Sequence, residues 1–373
     1  MVAWLLGGAS VSLEACLLPE IGVSEKVETT GGAGGTAGAG GTGGTGAGGP
    51  TGCIRATYPP PPTTGDGPSM DDLVVAFHSI DMGDTVGADP PGLDLDFTCT
   101  CFEEAGDTCT TGASKPRCDG PGGVDNAGSK LFQLVVDYLG DTYFGSDYYS
   151  SSADIGEWSL LVRISGYNGT PDDPEVGVAL FVSPGMEMAA VPKWDGTDAW
   201  PISDDTVGAS GTTDEPIHVS NGAYVAEGTL VATMPSAAIN LSGGTSTITV
   251  RILGGVISGK LLVEPFGARI EGGVIAARWA VKDVFAALSS YRGPNDSKLC
   301  KDGSFVYNAV KSRVCGAQDI LTDPLLPASA PCDALSLGIG FTADPALLGP
   351  VVPAAVPSDG CPDGQDPADD FCQ

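Results

Sequence analysis

The sequence predicts a mainly β protein: an antiparallel β-sandwich or barrel-like domain of jelly-roll type, with two or three short helices and disulfide staples. Three observations carry this expectation. Apolar residues recur mostly with period two, the segments between them are rich in turn residues, and all but one of the 11 cysteines lie in loop-like, Asp- and Gly-rich sequence. The 373 residues are 42% hydrophobic and 17% charged, which provides enough apolar material for a buried core in spite of 55 Gly and 29 Pro.

In chain order, residues 1–15 read as a signal peptide of lipoprotein type, with an apolar run from Val2 to Leu13. Residues 16–54 read as a flexible tether, because 31–49 hold only Gly, Ala and Thr, without charge or hydrophobic period. A formal G-x-G-x-x-G at Gly38, Gly40 and Gly43 falls inside that tether, with no strand before it and no helix after it, so it is not a nucleotide fingerprint.

Residues 55–373 read as one Cys-containing, β-rich domain. Leu73 to His78 form a strand-type apolar run. Asp125-Asn126 then caps a helix whose apolar residues are Leu131, Leu134, Val135, Tyr138 and Leu139. Trp158, Leu160, Val162 and Ile164 alternate with Ser159, Leu161, Arg163 and Ser165, and Val176, Val178, Leu180 and Val182 alternate again beyond the turn at 168–174. Further strands are expected at Tyr224 to Met234, Thr247 to Leu253, Val256 to Glu264 and Ala268 to Trp279, where short connections favour antiparallel neighbours. Val281, Val284, Phe285 and Leu288 mark a second helix, and Ser304 to Cys315 a third. No repeat of fixed period is present, which argues against a propeller or solenoid.

The odd cysteine is Cys16. It closes the leader after Leu13-Glu14-Ala15, which resembles the lipobox at which a signal peptidase cuts before a cysteine that is then lipidated. Glu14 replaces the usual small residue and no basic stretch opens the leader, so an ordinary secretory leader is the alternative. The others, Cys53, Cys99, Cys101, Cys109, Cys118, Cys300, Cys315, Cys332, Cys361 and Cys372, contain no C-x-x-C pair and are accompanied by only 2 histidines, which favours disulfides over zinc. Cys361 is expected to close with Cys372, or either of them with Cys53, while Cys300, Cys315 and Cys332 pin the C-terminal part to itself. An exported, oxidising location follows. No later segment is apolar for long enough to span a membrane, so any membrane hold is by lipid.

Lys plus Arg number 17 against 47 Asp plus Glu, a formal net charge of -30. That balance excludes a nucleic-acid partner, because counterion release needs clustered cations. Most of the acids are Asp, a residue of turns and of calcium sites. The densest run is Asp81, Asp84, Asp89, Asp94, Asp96, Glu103, Glu104 and Asp107, followed by a Gly-rich loop ending at Asn126. Asp119, Asp125 and Asn126 in that loop are the candidate ligands for calcium, the one cofactor the sequence suggests; a helix cap at Asp125-Asn126 is the structural alternative. The acidic run at 359–372 reads as a solvated loop closed by a disulfide.

Signatures of catalysis are scarce. His78 lies in a strand-type run and neither it nor His218 stands beside a nucleophile; no G-x-S-x-G or H-E-x-x-H occurs. Gly254, Gly259 and Lys260 imitate a P-loop, but Leu261 replaces its hydroxyl and strands surround it. The most suggestive cluster is Trp194, Asp195, Asp198 and Trp200, joined by Tyr167 on the same rim. Aromatic faces and carboxylates are what a sugar ring requires. The bland alternative is that the tryptophans plug the sheet edge while the aspartates serve turns.

The leader, Leu13 to Cys16, the Gly/Ala/Thr tether and the Cys-rich β domain together resemble, in architecture alone, the tethered surface lipoproteins of predatory soil bacteria, many of them uncharacterised. The resemblance implies Cys16 as lipid attachment point at the outer membrane or cell surface, and carries over no other functional residue. Without lipidation the protein is secreted. The function expected is a binding module of the cell envelope for polysaccharide or a surface protein partner rather than an enzyme. A carboxylate-based glycan hydrolase and a structural envelope protein without a small ligand are the competing expectations.

Overall fold

Period-two alternation resolves into a closed barrel. The computed structural model describes residues 53–372 apart from 66, 103–105, 107, 113–116, 187–189, 244–245 and 355–359. The leader, Cys16 and the tether up to residue 52 lie outside the described residues, which all belong to one compact unit, Gly48–Gln373. Among the described residues ten strands follow one another: β1 (Leu73–Asp81), β2 (Ser159–Ser165), β3 (Asp173–Ser183), β4 (Ala199–Ser203), β5 (His218–Ala226), β6 (Thr229–Gly243), β7 (Ser246–Glu264), β8 (Gly267–Ala280), β9 (Ala334–Pro345) and β10 (Leu347–Val352). All except β4 and β10 pair antiparallel with their sequential neighbours, and β9 returns to β1 to close the ring. Of sandwich and barrel, the chain forms the barrel, because hairpin connections keep successive strands adjacent.

The interior is filled by side chains. Phe77 of β1, Leu160 and Val162 of β2, Leu180 of β3, Ile239 of β6, Ile252 of β7, Ile275 of β8 and Leu337 of β9 share one buried cluster, as alternation around a small barrel requires. Four helices join it: α1 (Ala127–Leu139) through Leu131, Phe132 and Val135, α2 (Ser146–Asp154) through Tyr149, α3 (Val281–Ser290) through Val284, Phe285 and Leu288, and α4 (Phe305–Gly316) through Tyr307, Val310 and Val314. The α1, α3 and α4 segments match the expected helices. α2, SDYYSSSAD, has few apolar residues and showed no helical period.

Two strand boundaries differ from expectation. The run Tyr224 to Met234 is divided between β5 and β6 by a two-residue hairpin, Glu227-Gly228, whose φ values of 52° and 71° fit a primed turn. Conversely, Thr247 to Leu253 and Val256 to Glu264 belong to one strand, β7, which absorbs Gly254-Gly255 as a register shift against β8.

The outer wall is covered in two places. β4 and β10 form a parallel pair, and Trp200 and Ile202 pack on Ala76, Leu161 and Phe181. Elsewhere Leu93, Leu95 and Ile320 pack on Tyr224, Val231, Val256 and Ala276. Disulfides hold the second cover: Cys53–Cys99, Cys101–Cys118 and Cys109–Cys332, with Cys300–Cys361 and Cys315–Cys372 fixing the C-terminal segment. The expected closure of Cys361 with Cys372 or Cys53 does not occur, because both C-terminal cysteines reach back to the sequence around α4. Cys332, expected to stay within the C-terminal part, instead reaches Cys109. Among the described residues no helix is long and apolar enough to cross a membrane.

Candidate functional site

The second cover leaves a cleft of about 690 Å³ between the barrel's outer wall and the loops. Its wall comes from Thr233, Met234 and Pro235 of β6, Gly254 to Val256 of β7 and Arg278 of β8; its other side comes from Tyr58, Leu93 to Phe97, Thr108, Ile320, Leu321, Pro324, Leu326 and Ala328. Most of these groups are apolar. The polar ones gather at Asp94, Asp96, Thr108 and Arg278, a small convergent set in an apolar recess.

The Leu93-Asp94-Leu95-Asp96 stretch explains this arrangement from the sequence upward. Alternation turns Leu93 and Leu95 onto the barrel wall, leaving the aspartates to organise the turn that follows. Thr98 N–H donates to Asp94 Oδ1 at 3.1 Å and to Asp96 Oδ1 at 2.9 Å. Leu95 N–H donates to Asp125 Oδ2 at 2.7 Å, and Arg278 Nη2 donates to the Leu95 carbonyl at 2.8 Å. Thr108 Oγ1 donates to Asp96 Oδ2. Between them Phe97 takes a φ of 60° with its side chain 62% exposed. A non-glycine residue in that region carries about 1–3 kcal/mol of strain, a condition concentrated at ligand sites.

Beneath the turn the carboxyls are crowded. One oxygen each from Asp94, Asp96 and Asp125 lie within 4.8 Å of one another. Burial, and then the charge of Asp96, pushes Asp94 up to about 6, while burial together with Asp96, Asp119 and Asp319 pushes Asp125 up to about 9. Burial also raises Asp96.

The residues expected to hold calcium separate. Asp125 joins this trio. Asn126 is instead the N-cap of α1: its Oδ1 accepts from Ser129 N–H at 3.0 Å and its Nδ2 donates to the carbonyls of Pro91 and Gly338 at 2.7 and 2.9 Å, so its polar atoms are committed to structure. Asp119 accepts from Thr100 N–H at 2.5 Å and faces a second recess of about 410 Å³ with Asp319 and Arg313. Asp94 and Asp96, part of the acidic run, are the carboxyls that converge with Asp125.

The aromatic cluster also differs from expectation. Trp200 is fully buried between the barrel wall and the β4 and β10 pair. Trp194 stacks on His78, with ring centroids 4.1 Å apart, and packs against Trp200 at 5.4 Å. Asp198 is buried and accepts from the N–H groups of Lys193 and Trp194 at 2.7 and 2.8 Å. Asp195 is exposed and accepts from Thr197, whose bonds hold its carboxyl below the usual range. Tyr167 is buried in the barrel core and its hydroxyl donates to Thr170 O at 2.7 Å. These five residues therefore do not make one open face: Trp200 and Tyr167 are inside, and the aspartates serve turns. His78 bonds Asp344 at 2.7 Å and Asp154 at 3.1 Å, a strand residue tied at both ring nitrogens.

No family model matches the chain, and no curated protein or solved structure matches it.

Proposed function

We propose that this chain is an exported binding protein of the cell envelope, held at the outer membrane or cell surface by a lipid on Cys16, whose barrel domain takes an amphiphilic ligand into the cleft beside β6, β7 and β8. The observation that carries this reading is the cleft itself: about 690 Å³ of mostly aliphatic wall meeting Asp96, Thr108 and Arg278 at one place. The ligand's apolar body lies against Leu93, Pro235, Val256 and Ile320, and its polar end bonds that trio. Phe97 and Leu326, exposed to 62% and 46%, give the rim the apolar surface such a ligand needs on entry. The five disulfides support an oxidising compartment.

The polysaccharide expectation narrows for a physical reason. A hydroxyl-rich chain would leave most of its hydroxyls without partners in this lining, at about 1–3 kcal/mol for each one buried. Hydrolysis is also disfavoured. A glycosidase brackets the scissile bond with two accessible carboxyls, whereas the Asp94 side chain has no exposure and Asp125 is 3% exposed.

The test is uptake of a neutral naphthylamine fluorophore by the oxidised protein, in competition with fatty-chain amphiphiles and with soluble oligosaccharides. Saturable uptake at one site, displaced by amphiphiles and lost in Thr233→Trp, is expected, because the exposed Thr233 on β6 lines the cleft and an indole there fills it. Absence of saturable uptake, or uptake unaffected by Thr233→Trp, contradicts the reading. Displacement by oligosaccharides alone restores the polysaccharide class.

A further inference from the structure

We propose that Asp94, Asp96 and Asp125 bind one hard divalent cation of the calcium class, beneath the 93–98 turn and beside the N-terminus of α1. The first observation is convergence. One oxygen from each carboxyl lies within 4.8 Å of the other two, and oxygens at about 2.3–2.6 Å from a common calcium ion are separated by no more than about twice that distance.

A second observation comes from hydrogen bonding. Asp94 Oδ2 is a buried atom with no hydrogen-bond partner, on a side chain with no exposure. Its companion Oδ1 is occupied by Thr98 N–H. The nearest cation, Arg55, reaches it only as an ion pair with Nε at 3.4 Å, from a side chain that is itself 42% exposed. A carboxylate oxygen sealed from water without a hydrogen-bond donor is unfavourable unless a cation meets it, and its residue, Asp94, is one of the three whose carboxyls converge.

The surroundings hold these carboxyls in place. Asp125 is fixed by the N–H groups of Leu95 and Asp96, at 2.7 and 3.3 Å, and Asp96 by Thr98 N–H and Thr108. Cys53–Cys99 and Cys101–Cys118 pin the chain immediately after the turn. Because Asp96 also lines the cleft, water entering from that side can complete the six to eight oxygens calcium takes. The site stands on this geometry whether or not the cleft takes an amphiphile.

Calorimetric titration of the chelator-stripped, oxidised full chain with calcium chloride tests the proposal. One calcium per chain is expected, with a dissociation constant of about 10⁻³ M or tighter, and a higher melting temperature. Asp94→Asn should weaken binding by about tenfold or more, whereas Asp369→Asn, in the C-terminal acidic loop, should leave it unchanged. No stoichiometric binding, or equal weakening by both variants, overturns the proposal, the latter marking diffuse attraction to an acidic surface. Since Asp94→Asn could loosen the turn by itself, hydrogen exchange on the unsubstituted protein provides a second reading. Calcium should slow exchange at Leu95, Asp96 and Thr98; stoichiometric binding with these amides unaffected places the ion elsewhere and overturns the assignment.

Discussion

Asp319 accepts from both the N–H and the hydroxyl of Ser336, at 2.8 and 2.5 Å, yet burial pushes its pKa up to about 7. Asp119 is pushed up to about 7 by burial as well, against the Thr100 N–H that favours its charged form. Unfolded, both release their protons near 3.8. The folded state therefore binds more protons than the unfolded state between about pH 4 and pH 7, and stability falls as pH rises through that window. The contribution is present in full below about pH 4 and amounts to a few kcal/mol per group in order of magnitude. Urea unfolding in chelator should give a lower unfolding free energy at pH 8 than at pH 5, with a shallower slope in Asp319→Asn. Equal stability at both values would contradict this account of the buried acids. At this scale the sequence was partly legible. Abundant Asp in Gly-rich loops marked the stretch in which carboxyls crowd together, but Asp119 and Asn126 serve Thr100 and α1, while Asp94 and Asp96 converge with Asp125 because Leu93 and Leu95 turn onto the barrel.

At the scale of elements, the start of α1 is fixed by Asn126 together with Ser336, whose hydroxyl accepts from Ala127 N–H at 2.8 Å. Asn126 caps the helix and also spans from Pro91 to Gly338 on β9, tying the loop, helix and barrel together. Gly338 is needed there, since a methyl group on it would collide with the Pro91 carbonyl oxygen. Asn126→Ala should lower the unfolding free energy by about 2–4 kcal/mol, adding a lost cap to two carbonyls left without a donor. Asn126→Ser should recover only the capping part, about 1 kcal/mol; full recovery by Ser would show that the two cross-links contribute nothing. Strands were legible where polar residues alternate with apolar ones, as in β2. β9 alternates too, Leu335, Leu337, Ile339 and Phe341 with Ser336, Gly338, Gly340 and Thr342, but its outer face is small rather than charged, because Pro91 and Asn126 close on Gly338, so no charged residue marks that side. The β5–β6 hairpin was hidden because apolar residues continue through both of its arms on either side of Glu227-Gly228.

For the whole molecule, disulfides hold the loops over the barrel wall. Cys109–Cys332 closes a separation of 223 residues and Cys101–Cys118 one of 17. Loop entropy then assigns about 5 kcal/mol to the first and about 3 to the second. Removing Cys109 and Cys332 together by Ala substitution should lower the melting temperature more than removing Cys101 and Cys118; the reverse order would mean that the long link is not constraining the unfolded chain. The number of disulfides could be read from the even set of cysteines, but the pairing could not, since it depends on how the barrel brings residues 109 and 332 together. The cleft was hidden for the same reason. Its lining comes from Tyr58, Leu93 to Phe97, Thr108, β6, β7, Arg278 and residues 320–328, so no local window contains its pattern.

The central claim is that this cleft, and not the Trp194 and Trp200 cluster, is the binding surface. Photolabelling the oxidised protein with a fatty-chain amphiphile carrying a diazirine, followed by peptide mapping, tests it most directly. Labels concentrated on 93–97, 233–235 and 320–328, and displaced by unlabelled amphiphile, are the predicted result. Saturable labelling confined to 194–200, or labelling spread over the surface without saturation, would contradict it.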